Sequence, residues 1–212
     1  MEIGILDYGA GNLKNVIRAL DFLSTKHRLV TEVSDLEGLD KLIVPGVGAF
    51  SVAMQELRDQ NLITAIIDCS LDNLPILGIC LGMQLLFDSS DEFGFTEGLG
   101  LLEGPVRHIN KIAETEISSK LRTPHVGWAT LNFRCEDPLF KGLTNQPMST
   151  YFVHSHMACP IDRNRVIAST NYDGLEIPAV VKVRNTYGCQ FHPEKSGEPG
   201  LSLLRNFVGL EV

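Results

Sequence analysis

Positive charge is scarce in this sequence: 18 lysines and arginines stand against 26 aspartates and glutamates, for a net charge of −8. That balance argues against a nucleic-acid-binding surface. Cysteine is present but unorganised. Its five copies, at positions 69, 80, 135, 159 and 189, are odd in number and irregularly spaced. They suit neither a disulfide framework nor a paired C-x-x-C metal site, and they point to a reducing, cytoplasmic setting. Long apolar runs are missing too. The longest, Pro75 to Phe87, is too short to cross a bilayer and is broken by glycines and Gln84, so no membrane association is expected. The chain opens directly on Ile3-Gly4-Ile5-Leu6, with no basic segment or cleavable signal expected ahead of it. No repeat, low-complexity tract or linker divides the 212 residues, and a single domain over 1–212 with a sizeable core is expected.

The pattern that is present is strand–helix alternation. Glu2 to Asp7 reads as a buried strand and Leu13 to Leu23 as a helix with Val16, Ile17, Leu20 and Leu23 on one face. Strands follow at His27–Val33 and Lys41–Val44, then amphipathic segments at Ser51–Leu57 and Leu62–Leu71. A further strand ends near Ile79 and a helix is expected from Leu81 to Phe87. The expected fold class is therefore α/β, a mostly parallel open sheet flanked by helices. From Leu99 onward short strands take over: 104–109, 127–133, 150–154, 166–170, 178–184 and 187–192, with a hairpin at Asn185-Thr186. These predict an additional antiparallel region in the C-terminal half. The chain closes on a helix with Leu201, Leu204, Phe207 and Val208 on one face. Gly9 and Gly11 resemble a fragment of a dinucleotide fingerprint, but the third glycine and an acidic ribose partner are lacking. No cofactor is expected.

Two stretches carry chemistry. In Gly78-Ile79-Cys80-Leu81-Gly82 a cysteine stands on a strand-to-helix turn between glycines, the layout of a nucleophile elbow. Glycines there let strand and helix approach closely around a strained nucleophile. The helix N-terminus favours the thiolate. In Gln190-Phe191-His192-Pro193-Glu194-Lys195, Pro193 biases His192 towards an extended backbone, so that His192 and Glu194 point to the same side. A histidine held by a carboxylate suits the base-and-orienter pair of a catalytic triad. The order cysteine, histidine, acid differs from the nucleophile, acid, histidine order of α/β-hydrolases. The turn Pro45-Gly46-Val47-Gly48 could present backbone amides to an anion; a plain βα turn reads equally well.

Together these motifs resemble the class I (triad) glutamine amidotransferases. Asp7–Asn12, Val44–Phe50, Pro124–Trp128 and Tyr151–Ser155 are similar, within that family, to the branch of glutaminase subunits of imidazole glycerol phosphate synthases. The resemblance implies a Cys80-His192-Glu194 triad that hydrolyses L-glutamine to glutamate and ammonia. It implies an oxyanion hole from the amides of Val47 and Leu81, with a flip of the turn coupling activity to a partner. It implies glutamine binding by Gly46, Gly48, Gln84 and Glu92 and by the backbone of His154 and Ser155. It also implies a (β/α)₈-barrel synthase subunit that receives the ammonia, docked near His125, Trp128, Tyr151 and Lys195. Ala129, His156 and Cys189 depart from the branch pattern, the first two near the expected partner face. A paralogue serving another ammonia acceptor, such as a surface-sugar amidotransferase system, is the alternative. A metal enzyme built on His125, His154 and His156 lacks a suitably spaced carboxylate or cysteine, and a non-catalytic regulatory subunit would have no use for an intact triad.

Overall fold

The computed structural model describes residues 1–9 and 12–211; Ala10 and Gly11, inside the Asp7–Asn12 motif, and Val212 lie outside the described residues. The elements run β1 (Ile3–Leu6), α1 (Leu13–Phe22), β2 (His27–Val30), β3 (Lys41–Val44), α2 (Phe50–Asp59), α3 (Leu62–Leu71), β4 (Ile76–Ile79) and α4 (Leu81–Leu85). There follow β5 (Phe87–Ser90), β6 (Thr96–Glu97), β7 (Leu102–His108), α5 (Ile109–Glu116), β8 (His125–Thr130) and β9 (Asn132–Phe133). The last are β10 (Ser149–His154), β11 (His156–Ala158), β12 (Val166–Tyr172), β13 (Leu175–Val183), β14 (Thr186–Cys189) and α6 (Gly197–Val208).

One sheet of eight strands, in the order β2-β1-β3-β4-β14-β13-β12-β9, organises the molecule. Its first five strands are mutually parallel, and β13, β12 and β9 continue it antiparallel. The expected antiparallel region is thus largely an extension of the same sheet, supplemented by the pair β10-β8 and a small sheet β11-β7-β5-β6. Strands β1, β3 and β4 are buried at every residue because both faces are covered. Phe50, Leu57 and Ile66 of α2 and α3 pack on one face. Val16, Leu20, Leu203 and Phe207 of α1 and α6 pack on the other.

The boundaries differ from expectation at identifiable points. The second strand stops at Val30 because Glu32 and Asp35 form a capping box that starts a 3-10 turn, Val33–Leu36. The helix after Cys80 ends at Leu85, and Phe87 already pairs with β7 as a strand. The stretch expected as strand to Ile109 instead turns helical there, with the His108 ring accepting from the Asn110 amide and Ile109 and Ala113 buried. The last strand ends at Cys189 rather than His192, since Pro193 opens a 3-10 turn.

Candidate active site

Strands β4 and β14 are adjacent and parallel, with Ile79 opposite Cys189. Their carboxyl ends therefore release Cys80 and His192 side by side although 111 residues separate them, counted from the numbering. This is the edge at which open α/β sheets bind ligands. The Cys80 amide donates to the Cys189 carbonyl at 2.8 Å and ties the two ends together.

Cys80 adopts φ 54°, ψ −107°, a backbone state that L-residues rarely occupy. The glycines around it explain how the elbow closes. A Cβ on Gly82 would lie 1.8 Å from the Val44 carbonyl oxygen, and one on Gly78 would lie 2.6 Å from the Gly82 oxygen. Beside the sulfur opens a cleft of about 320 Å³, lined by Val47, Gly48, Cys80, Leu81, Gln84, Glu92, Pro124 and the segment 153–156. A larger cleft of about 510 Å³ lies at the other end of the strands, among Pro75, Lys182 and Asn185, far from the nucleophile.

His192 is wholly buried in an extended backbone, as Pro193 requires. Its Nδ1 meets Glu194 Oε1 at 2.8 Å. Because the carboxylate only accepts, Nδ1 carries the proton and Nε2 is left for the nucleophile. Among the described residues, that buried Nε2 has no hydrogen-bond partner. Burial works to lower the pKa of this ring, but the neighbouring Cys80 sulfur and the Glu194 carboxylate outweigh it, and it stands raised at about 9. An imidazolium beside the sulfur favours the thiolate. Desolvation pushes the buried Cys189 thiol up, and the half-buried Cys159 thiol up to about 11.

The turn expected to supply the oxyanion hole is engaged in hydrogen bonds of its own. The Leu81 amide donates to the Gly46 carbonyl at 3.3 Å, and the Tyr8 hydroxyl donates to the Pro45 carbonyl at 2.8 Å. Gly46 fits there only without a side chain, since its Cβ would meet the Tyr8 hydroxyl oxygen at 2.4 Å. Gly48 is exposed at φ 114°. Of the other substrate-binding candidates, Gln84 donates both amide hydrogens inward, to the His156 carbonyl at 2.9 Å and to Gln190 Oε1 at 3.0 Å. Glu92 accepts from the Phe50 amide at 2.8 Å, the first residue of α2, while its other oxygen lies 3.4 Å from His156 Nδ1. His154 and Ser155 line the cleft, and the Ser155 carbonyl accepts from the Ile109 amide.

Two expectations need correction. His125 does not present an outer face: it is 4% exposed, stacked on Phe152 and Tyr172, with Nδ1 3.2 Å from His154 Nε2. The β8–β10 register sets it opposite His154 and draws it inward. His156 lies in the cleft against Glu92 rather than on the partner face. Trp128, 59% exposed and edge-on to Tyr151 on the paired strand, does offer a surface, with Val126 exposed beside it. The Tyr151 carbonyl accepts from the His192 amide and the Lys195 amide donates to the His192 carbonyl, so both residues brace the base. Among the described residues no group of three or more histidine, cysteine or acidic side chains is placed to hold a metal, and no helix is long and apolar enough to cross a membrane.

Three contacts of the site do not follow from the sequence, although His156 stands out there as a departure from the branch pattern. Asn12 donates from Nδ2 to Glu194 Oε1 and lies 3.4 Å from His192 Nδ1, so it helps hold the acid. Gln190 donates to the Cys80 sulfur, and His156 faces Glu92. Only the alternation that puts Gln190 on the side of His192 signalled one of them.

Comparison with known proteins supplies the context. The family described as glutamine amidotransferase class-I matches residues 4–210. The chain is 46% identical over 208 residues to "Imidazole glycerol phosphate synthase subunit HisH" of Prochlorococcus marinus, covering 98% of this chain and 94% of that one. A protein of the same name from Geobacillus sp. is 44% identical, with 98% and 96% covered. A crystal structure of a glutamine amidotransferase superposes with a TM-score of 0.74 at 22% identity, over 98% of this chain and 97% of that chain, a likeness of fold.

Proposed function

Because this chain belongs to the class-I glutamine amidotransferase family, we propose that it is the glutaminase subunit of an imidazole glycerol phosphate synthase, acting in histidine biosynthesis. The observation that carries this reading is the convergence of Cys80 with the His192–Glu194 pair at the ends of two adjacent strands, beside a cleft that fits an amino acid.

The thiolate of Cys80 attacks the side-chain amide carbon of glutamine, and the carbonyl π electrons move onto oxygen. The amides of Leu81 and Val47 stabilise that oxyanion once the Gly46 carbonyl has withdrawn from Leu81; each donor contributes about 2.7–4 kcal/mol. His192 gives its Nε2 proton to the departing nitrogen, the C–N bond breaks and ammonia leaves a glutamyl thioester on Cys80. Nε2, now unprotonated, takes a proton from water as its oxygen attacks the thioester, and glutamate departs. Glu92 offers the carboxylate that receives the substrate ammonium group, and Gly46, Gly48, Gln84 and the backbone at His154 and Ser155 complete the binding site.

Free ammonia would be mostly protonated in neutral water, so it has to pass directly to a partner. The exposed Trp128, with Tyr151 and Lys195 next to the triad, supports docking of a (β/α)₈-barrel synthase subunit there. The pairing of Leu81 with Gly46 supports coupling, with docking releasing the turn. A cytoplasmic location follows from the same reading. The test is glutamate release and acceptor conversion by the chain co-purified with its synthase subunit. Cys80→Ala should abolish glutamine use yet leave ammonia-dependent synthesis intact. Glutamate release by that variant, or failure of the wild-type complex to convert imidazole-glycerol-phosphate precursors, overturns the proposal.

A further inference from the structure

Behind the cleft, a chain of hydrogen bonds leads from a backbone carbonyl to the nucleophile. Gln84 Nε2 lies 2.9 Å from the His156 carbonyl and 3.0 Å from Gln190 Oε1, and Gln190 Nε2 lies 3.8 Å from Cys80 Sγ. Side-chain amides can be turned end for end, but this chain admits one orientation. A carbonyl oxygen only accepts, so the Gln84 atom facing His156 must be nitrogen. That nitrogen also faces Gln190, so the Gln190 atom it meets must be oxygen. The remaining Gln190 atom, turned to the sulfur, is then an N–H donor. Gln190 is fully buried and Gln84 nearly so, which leaves no water to rescue a flipped amide.

We propose that Gln190 is a positioning residue that holds Cys80 as a thiolate aimed at the cleft, with Gln84 and the His156 carbonyl fixing the direction of its donor. This deepens the glutaminase reading and rests on it for the sulfur's role. An N–H facing sulfur stabilises the charged form and offers little to the thiol. The Val153 carbonyl, 4.0 Å away, has the opposite preference, since it can only accept from S–H. Gln190 offsets that carbonyl. The titratable groups facing the sulfur are His192 with Glu194 behind it, Tyr8 after β1 and Cys189 on β14.

Gln190→Met keeps the volume and removes the donor. The measurement is iodoacetamide alkylation at Cys80 across pH, read on the peptide containing Cys80 so that the exposed Cys135 does not interfere. The variant should need about one pH unit more to reach half-maximal rate, and at pH 7 it should alkylate about tenfold more slowly. An unchanged profile in a folded variant overturns the proposal. Gln84→Met, which unhooks Gln190 without touching it, should shift the profile in the same direction by less; no shift counts against the relay. Should either variant fail to fold, the wild type decides: the Gln190 side-chain amide resonance must move when Cys80 is alkylated, and a stationary signal overturns the proposal. Alkylation needs no glutamine. A donor-dependent profile in a wild type that releases no glutamate with its partner would refute the glutaminase reading and leave this one standing.

Discussion

The Leu81 amide, proposed above as an oxyanion donor, donates at rest to the Gly46 carbonyl at 3.3 Å. The bond is long, and a second tie keeps the turn in that position: the Tyr8 hydroxyl holds the Pro45 carbonyl at 2.8 Å. Tyr8→Phe frees the turn at the cost of one unsatisfied carbonyl, about 1–3 kcal/mol of stability. The expected outcome is a several-fold rise in glutamate release by the chain without its partner. Unaltered basal turnover in a folded variant would show that Tyr8 does not restrain the turn.

Glycine substitutions separate contact from backbone strain. Gly82→Ala puts a Cβ 1.8 Å from the Val44 carbonyl oxygen, backbone against backbone with nothing to yield. A loss beyond about 4 kcal/mol, enough to leave little folded protein, is expected. Gly48→Ala meets no atom within 4 Å and pays only for φ 114°, about 1–3 kcal/mol. Urea midpoints of the two variants should differ accordingly; equal midpoints would contradict the close packing of elbow and sheet.

Asn12 stands on the far side of the triad, donating to the same Glu194 oxygen that holds His192, while Glu194 Oε2 is buried without a partner among the described residues. Asn12→Ala removes one of the two partners that Glu194 Oε1 has among the described residues. Loss of a hydrogen bond to a charged group, about 2 kcal/mol, corresponds to roughly a thirtyfold fall in kcat, with KM nearly unchanged because Asn12 does not line the cleft. A KM effect without a kcat effect would remove Asn12 from the triad's support.

These pairings show where sequence stops being legible. The strand-to-helix turn at Cys80 and the extended His192-Pro193-Glu194 run could be read because local geometry dictates them: glycines permit the elbow, and proline fixes the residue before it. The Asn12–Glu194, Gln84–Gln190 and Glu92–His156 contacts span 182, 106 and 64 residues by numbering, and nothing local announces them. His125 was misplaced although local periodicity places it. It stands three residues before Trp128 on β8, so strand alternation puts it on the face opposite the exposed Val126 and Trp128, inward between Phe152 and Tyr172. Helix α5 was missed although Ile109, Ile112 and Ala113 have helical spacing, because β7 runs into it without a break.

The raised pKa of His192 fixes the alkaline limit of activity. The ring titrates at about 9 in the folded chain against about 6.5 for an unperturbed histidine. A group so raised contributes stability that is fully present below about pH 6.5 and lost as pH rises through about 9. It also loses the proton needed by departing ammonia. The urea midpoint should fall between about pH 6.5 and about pH 9 and level off above, an effect that should vanish in His192→Asn, while kcat for glutamine should fall as pH rises through about 9. A rate profile flat to pH 10.5 would falsify the ion-pair assignment.

His154 has the opposite sign and acts at the acid end. Burial is the main cause that lowers its pKa, to about 3, with the Nδ1 contact to the His156 carbonyl at 2.8 Å opposing and the histidines 125, 192 and 156 adding to the fall. That contact assigns Nδ1–H to His154, so Nε2 accepts and His125 Nδ1 donates at 3.2 Å. The neutral pair is a packed, satisfied unit; a proton on His154 Nε2 would leave two donors face to face. Because the unfolded chain binds that proton near pH 6.5 and the folded chain does not, stability is whole above about pH 6.5. It falls by about 1.4 kcal/mol per pH unit below that, down towards pH 3. His154→Gln removes the titration, so its urea midpoint should lie below the wild type at pH 7 and change less between pH 6.5 and 4.5. Parallel pH dependence in the two proteins would mean that His154 is protonated in the native chain, and the assigned tautomers would be wrong.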